Sequence, residues 1–529
     1  MPPSEDSAMD DKPVESRLEE TSSSAFANFH RGDAALEYLG TSAVRYEITE
    51  EQERKVLRKI DRWLLPIILL VYFLQQLDKS SLSYTSVFGI VDETGLVGSQ
   101  YSWLSSIVYI AQLVWQPVSS YMLLRLPVAK YLFVNVFLWG AVVACMAAAH
   151  NFKGLIAARF FLGIAEACVA PAFMTITQMW WRRREQTLRL SYWMAANGVT
   201  GMIGSLLSWG LGHIAGRLHP YQVIFLFIGT LTVACSPLIL ILLPDSPAKA
   251  KFLSREEKIV AFERLRANNQ GTETKVWKWD QVLELVLDPK TYLWFALLFL
   301  CAVPSGGIGA FGPLIISGFG FNQLNTILFN IPFNFFQVVI ILTSAAISTK
   351  IKLKWPVIFA LCLPAIGGAA ALLKLGRGAE YRGPSLAAYY ILSFFAALQP
   401  LLYTWASQNT AGHTKKICTT ATIFVAQCAG NVVGPLLYKT EDKPFYHPGL
   451  VGDMICWICL AVLTVVTAAY LAFRNKQQAA ARRRLGKTAE VVDTSLEVYS
   501  ASQLKDGVMN DKSFDDLTDC QNEDFIYVL

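Results

Sequence analysis

Residues 244–290 read PDSPAKAKFLSREEKIVAFERLRANNQGTETKVWKWDQVLELVLDPK, a polar stretch set inside an apolar chain, and what flanks it decides the fold. Upstream, hydrophobic runs bounded by charges, Pro and Gly fall near 64–85, 102–124, 130–149, 154–179, 188–212 and 222–243. Downstream, a matching set falls near 291–316, 323–347, 355–374, 385–408, 417–438 and 450–473. Each is long enough to cross a hydrocarbon core of roughly 30 Å, which takes about 20 helical residues. The sequence thus predicts an all-α membrane protein of twelve transmembrane helices, with one six-helix bundle over 61–243, a cytosolic linker over 244–290 and a second six-helix bundle over 291–474. The polar stretches 1–60 and 475–529 predict disordered cytosolic tails. Within the linker, SREEKIVAFERLRA predicts a helix capped by Ser254, with Glu257 placed to complete a capping box.

Composition agrees with a lipid environment. Hydrophobic residues make up 53% of the 529 and charged ones 16%, with mean hydropathy +0.37, where a soluble protein has roughly a quarter charged. The net charge of +5 is small, and the basic residues sit beside hydrophobic runs without forming a stripe, which excludes nucleic acid as a partner. With an even number of spans both tails share a side, and that side's loops hold about twenty Lys and Arg against about seven opposite, which makes it cytosolic. The runs Arg182–Arg184, Lys350–Lys352–Lys354 and Arg482–Arg484 belong to that side. Most of the ten cysteines fall inside spans and read as small apolar residues. Cys456 and Cys459 form a CxxC without a second Cys or His pair, so no metal site is expected. No nucleotide loop, HExxH or nucleophile elbow occurs, so no catalytic residue, enzyme activity or cofactor is predicted.

Four charges lie where the membrane should exclude them. A charge at the bilayer centre costs about 2.5 to 3.5 kcal/mol and is usually kept facing a partner or a water-filled cavity. Asp78 and Lys79 follow the apolar run LLPIILLVYFLQQL, and Arg159 and Glu166 lie within RFFLGIAEA. Arg159 and Glu166 share a helix face two turns apart, about 10.5 Å, too far for a direct pair. Arg159 can grip a carboxylate with two parallel hydrogen bonds, while Glu166, among Ile164, Ala165 and Ala167, is the candidate proton carrier with Asp78 as the next. Lys79 supplies a second cation, neutralised by Asp78 when the site is empty. A structural alternative stays open: Arg159 near the membrane face with Glu166 paired for packing alone, and Asp78 and Lys79 snorkelling to an interface. Glycines at 198, 201, 204 and 210, and at 430 and 434, predict close helix approach.

Twelve spans divided six and six by a basic linker is the arrangement of major facilitator transporters, with two pseudo-symmetric halves around a midplane site. The strings RFFLGIAEA with Pro171, LPDSPAKAKFLSREEK, WASQNTAGHTKK and AGNVVGPLLY resemble the fungal allantoate permease family, anion:cation symporters of the major facilitator superfamily. The resemblance runs from about Arg58 to Arg474. It implies proton-coupled import of a small organic anion such as a carboxylate vitamin or nitrogen source, driven by the proton gradient, by a monomer in the plasma membrane or a vacuolar or other internal membrane. An exporter or compartmental carrier of a fungal metabolite is the alternative. In the similar vesicular glutamate and sialic acid transporters, a helix 1 cation and a helix 4 Arg with a Glu seven residues later serve substrate and proton; these positions fall on Lys79, Arg159 and Glu166. The family's helix 10 motif falls on Asn409, implying substrate contact, and on His413, implying gating. The loop YMLLRLPVAKYL lacks the Gly and Asp of the general facilitator gate and keeps Arg125 and Lys130 as its cations.

Overall fold

The computed structural model describes residues 49–529 apart from 182, 215–216, 267–277, 485–516 and 523–524. Most of the two tails expected to be disordered, 1–48 and 485–516, therefore lies outside the described residues. In the first half the spanning helices are α1 (Glu50–Val87), α2 (Gln100–Arg125), α3 (Val128–Met146), α4 (Phe152–Glu166 and Val169–Trp180), α5 (Arg183–Leu211) and α6 (Pro220–Cys235 and Pro237–Leu242). In the second they are α7 (Pro289–Ser317), α8 (Gln323–Leu328 and Asn330–Ile351), α9 (Trp355–Lys374), α10 (Arg382–Leu392 and Leu398–Gln408), α11 (His413–Leu436) and α12 (His447–Arg484). Ten of these paths are long and apolar enough to cross a membrane on composition alone. The more polar α2 and α5, of 26 and 29 residues, complete the twelve.

A proline follows three of the helix breaks. A proline removes one helical hydrogen bond and its ring crowds the carbonyl four residues earlier. Pro171 accordingly follows the break at Ala167–Cys168, Pro332 the break at Phe329, and Pro400 the 3-10 turn Ser393–Ala397. The outward helix faces stay apolar, with Val114 64%, Ile241 74% and Val462 60% exposed, surface that only lipid can cover. The chain is a multi-pass membrane protein.

The packing repeats between the halves. α3 packs on α6 as α9 packs on α12, and the contacts joining the halves, α2 with α11 and α5 with α8, exchange under the same six-helix shift. Small residues permit the closest approaches: a Cβ at Gly434 of α11 would lie 2.1 Å from the Val303 carbonyl oxygen of α7, and one at Gly201 of α5 2.2 Å from Asn334 of α8. Gly210, from the same predicted set, has nothing within 4 Å.

With α1 starting and α12 ending on one face, here the tail face, the hydrogen bonds between halves gather at the opposite, far face. The Tyr101 hydroxyl donates to the Ala310 carbonyl (3.0 Å), Ser102 to Tyr438 (2.8 Å), Ser106 to Val432 (2.8 Å) and Thr440 to Gly98 (3.1 Å). The bundle is thus sealed at the far face. On the tail face the linker docks on the first half: Ser254 and Glu257 form the expected capping box, Lys59 pairs with Glu257, and the Phe252 ring stacks on Trp63 and Trp180. Asp245 accepts the Ala129 backbone N–H at the start of α3 (3.1 Å).

Two features of the chain beyond residue 475 differ from the expected disordered tail. α12 continues to Arg484, because Asn475 to Arg484 contains strong helix formers and three basic residues that suit a helix C-terminus. Residues 517–522 and 525–529 pack on the tail face of the second half, where buried lysines and amides offer partners that composition does not reveal.

Candidate functional site

Three helices of the first half bring the buried charges together. Lys79 of α1 lies 3.6 Å from Glu166 of α4, and Gln112 of α2 donates its Nε2 to the same Glu166 oxygen at 3.0 Å. The Lys79 ammonium also stands 5.9 Å from the centre of the Tyr109 ring. Glu166 is the last residue of the first segment of α4, so the break before Pro171 holds it at mid-helix. Its side chain has no exposure, whereas that of Lys79 is 23% exposed, so Lys79 is the more accessible partner of the pair.

Asp78 turns the other way, as adjacent helical residues about 100° apart must. It is fully buried and faces Trp139 of α3 and Thr232 of α6, and neither carboxylate oxygen has a hydrogen-bond partner among the described residues. The expectation that Asp78 neutralises Lys79 is therefore corrected: among the described residues Lys79 ion-pairs with Glu166. Arg159 lies about two turns nearer the far face on the same segment of α4, 2% exposed, with Glu166, Tyr101, Asp78 and Tyr109 as its electrostatic neighbours. Its Nε and Nη2 have no hydrogen-bond partner among the described residues. These two donors share one edge of the guanidinium, the edge that takes a carboxylate through two parallel hydrogen bonds. A buried polar group left without a partner is costly, so this edge and the Oε1 of Glu166 are the groups here with the most to gain from a polar solute.

Asn409 does not join this group. At the tail-face end of α10 its amide donates to the Trp405 and Val528 carbonyls and accepts from the Val528 N–H; as the C-cap residue of its helix it is spent on backbone. Arg125 and Lys130 stand exposed on either side of the α2–α3 turn, with Arg125 over the Tyr121 ring. His413 opens α11, and its side chain lies outside the described residues. Gln75, which faces Glu166, escaped the sequence reading although it precedes Lys79 by four residues and so shares its face of α1. Cys428 of α11, which faces Lys79 across the two halves, carried no such signal.

Comparison with known proteins agrees with this architecture. The family model described as Major Facilitator Superfamily matches residues 68–435. An uncharacterised transporter of Schizosaccharomyces pombe is 34% identical over 484 residues, covering 91% of this chain and 88% of that protein. The allantoate permease of Saccharomyces cerevisiae is 30% identical over 514 residues, covering 93% and 89%. In three dimensions, a bacterial homologue of the human lysosomal transporter Spinster, crystallised inward-facing and unoccupied, superposes with a TM-score of 0.57 at 14% identity, over 80% of this chain and 97% of that one.

Proposed function

Because this chain belongs to the Major Facilitator Superfamily and to the allantoate permease family within it, we propose that it is a proton-coupled symporter that imports a small organic anion by alternating access. Members of the family are transporters, and a small-molecule substrate and a membrane follow from membership. The finer reading rests on one observation: a buried Arg159 with an unpaired two-donor edge and a partly exposed Lys79 paired with Glu166, both having Glu166 and Tyr109 as electrostatic neighbours.

The coupling follows from charge balance. In the empty site the Lys79–Glu166 pair is internally neutral. A substrate carboxylate that takes Lys79 and Arg159 displaces Glu166, and stranding one partner of a buried pair costs about 3–5 kcal/mol. Protonation of Glu166 removes that cost, so anion and proton enter together. Once both leave, the pair re-forms and the empty site returns. Only the two compensated forms cross readily, so the proton gradient drives uptake, without a cofactor and within one monomer. In this reading the tail face is cytosolic and the plasma membrane is the site of uptake; Arg125, Lys130 and His413 act at the cytosolic gate.

The test compares two assays in the same vesicles. Glu166→Gln mimics the protonated carboxyl, so it should retain counterflow of labelled anion while losing accumulation driven by an acid exterior. Undiminished acid-driven accumulation in Glu166→Gln would move the coupling role to Asp78.

A further inference from the structure

The densest polar network outside the central group lies at the tail face of the second half. There, residues 517–522 and 525–529 cross the ends of α7, α10, α11 and α12, the linker helix Trp279–Leu287 and the start of α9. We propose that this face is a binding site for an acidic–aromatic peptide, occupied in cis by residues 517–522, which form a turn, and 525–529, which strap the linker helix to the second bundle.

The site is built from two kinds of contact. Side-chain amides read the peptide backbone: Asn475 of α12 donates to the Tyr527 carbonyl and accepts from its N–H, both at 2.8 Å. Asn409 of α10 does the same for Val528, accepting at 2.8 Å and donating at 3.0 Å. The Trp405 indole adds a bond to the Val528 carbonyl (2.8 Å), and the Leu529 carbonyl accepts the Lys354 N–H at the start of α9 (2.7 Å). This is how a neighbouring strand would hold the segment, and it tolerates varied sequence.

The second kind of contact selects side chains. Asp519 is fully buried and ion-pairs with Lys290 and with Lys415, the latter at 3.0 Å. The Tyr527 hydroxyl donates to Asp519 (2.9 Å) while its ring lies 4.7 Å from the Lys290 ammonium. Thr518 donates to Glu284 of the linker helix (2.8 Å), which also holds Lys415 (2.8 Å). Both lysine side chains are only 2% exposed, so the loss of Asp519 would leave buried positive charge short of a partner.

Asp288, Asp519 and Cys520 bring donor atoms within 4.8 Å of one another, but the lysine ammonium groups already occupy the carboxylates and burial pushes the Cys520 thiol up to about 12. The cluster is a charge network and not a cation site. Burial alone would raise the Asp519 carboxyl, yet Lys290 and Lys415 hold it below the usual range. A depressed carboxylate loses its contribution only as pH falls through its folded value, so the contribution of Asp519 to docking is intact at neutral pH.

Amide hydrogen exchange on the full chain tests the proposal. The Tyr527 and Val528 amides should exchange at least about tenfold more slowly than in a free synthetic 517–529 peptide. Asp519→Ala and, separately, Tyr527→Ala should each speed exchange at 527–528 and across Trp279–Leu287, with the spanning helices unchanged. Adding the native-sequence peptide to the Asp519→Ala chain should slow the linker helix again, whereas a peptide carrying Asp519→Ala should not. Free-peptide exchange rates at 527–528 in the unsubstituted chain, or a linker helix indifferent to the added peptide, would overturn it.

Discussion

At the residue scale, Arg159 and the Lys79–Glu166 pair make separable predictions. Arg159 offers Nε and Nη2 together, a geometry that a point charge cannot copy. Arg159→Lys should therefore still transport but with half-saturation raised by about tenfold, and Arg159→Ala should reach the membrane and carry nothing. Normal uptake by Arg159→Ala would favour a packing role for this side chain. The pair is tested by stability. Lys79→Met leaves Glu166 with no ion-pair partner in its fully buried setting and should cost about 3–5 kcal/mol, seen as a lower melting temperature in detergent. Adding Glu166→Gln to Lys79→Met should recover most of that loss, because the stranded charge is gone. A double variant no more stable than the single one would show that the two groups do not share their charge.

Elements explain which parts of the molecule the sequence discloses. The spans and the two halves are legible because each follows from a local property, apolar run length and the polar interval 244–290, whereas the breaks in α4, α8 and α10 are not, since Pro66, Pro304 and Pro364 lie inside unbroken helices. The capping box of Ser254 and Glu257 is similarly local. The central group was only partly legible. Periodicity gives the shared face of Arg159 and Glu166 and the opposed faces of Asp78 and Lys79, but which carboxylate meets Lys79 depends on how α1 rotates against α4. Tail-face docking was illegible, since Asn409 and Asn475 on different helices acquire a common partner only in three dimensions. Glycines show the same limit: spacing nominates Gly434 and Gly210 equally, yet only Gly434 faces a neighbouring carbonyl. Gly434→Val should abolish monodisperse protein in size-exclusion chromatography, while Gly210→Val should elute as the unsubstituted chain does. Equal behaviour of the two variants would mean that the α7–α11 contact is not required for folding.

For the whole molecule, the decisive property is that side-chain hydrogen bonds join the two halves at the far face. Four hydrogen bonds from α2 and its flanking loop to α7, α11 and the segment after it hold that seal, and a T-shaped contact of Tyr101 with Phe311 packs beside them, ring centroids 5.2 Å apart. Each bond uses a backbone carbonyl as acceptor, so each side chain can find water instead when the halves part, and the net cost of opening is about 1 kcal/mol per bond. Such a seal is weak enough to open in every cycle. If transport proceeds by alternating access, fixing it shut must stop uptake without disturbing the site. The Ser106 hydroxyl lies 2.8 Å from the Val432 carbonyl, which brings the two positions close enough to try a cysteine pair, its formation being checked by loss of both free thiols. With Ser106→Cys and Val432→Cys introduced together, oxidation should abolish uptake of labelled anion and a reducing agent should restore it. Each single variant should be insensitive to oxidant, which controls for the ten native cysteines, none of them disulfide-bonded. Binding of the anion, measured on detergent-solubilised protein, should survive the cross-link, because the cross-link leaves Lys79, Arg159 and Glu166 untouched. Full transport by a demonstrably cross-linked protein would mean that the far face need not open, and would remove alternating access as the mechanism.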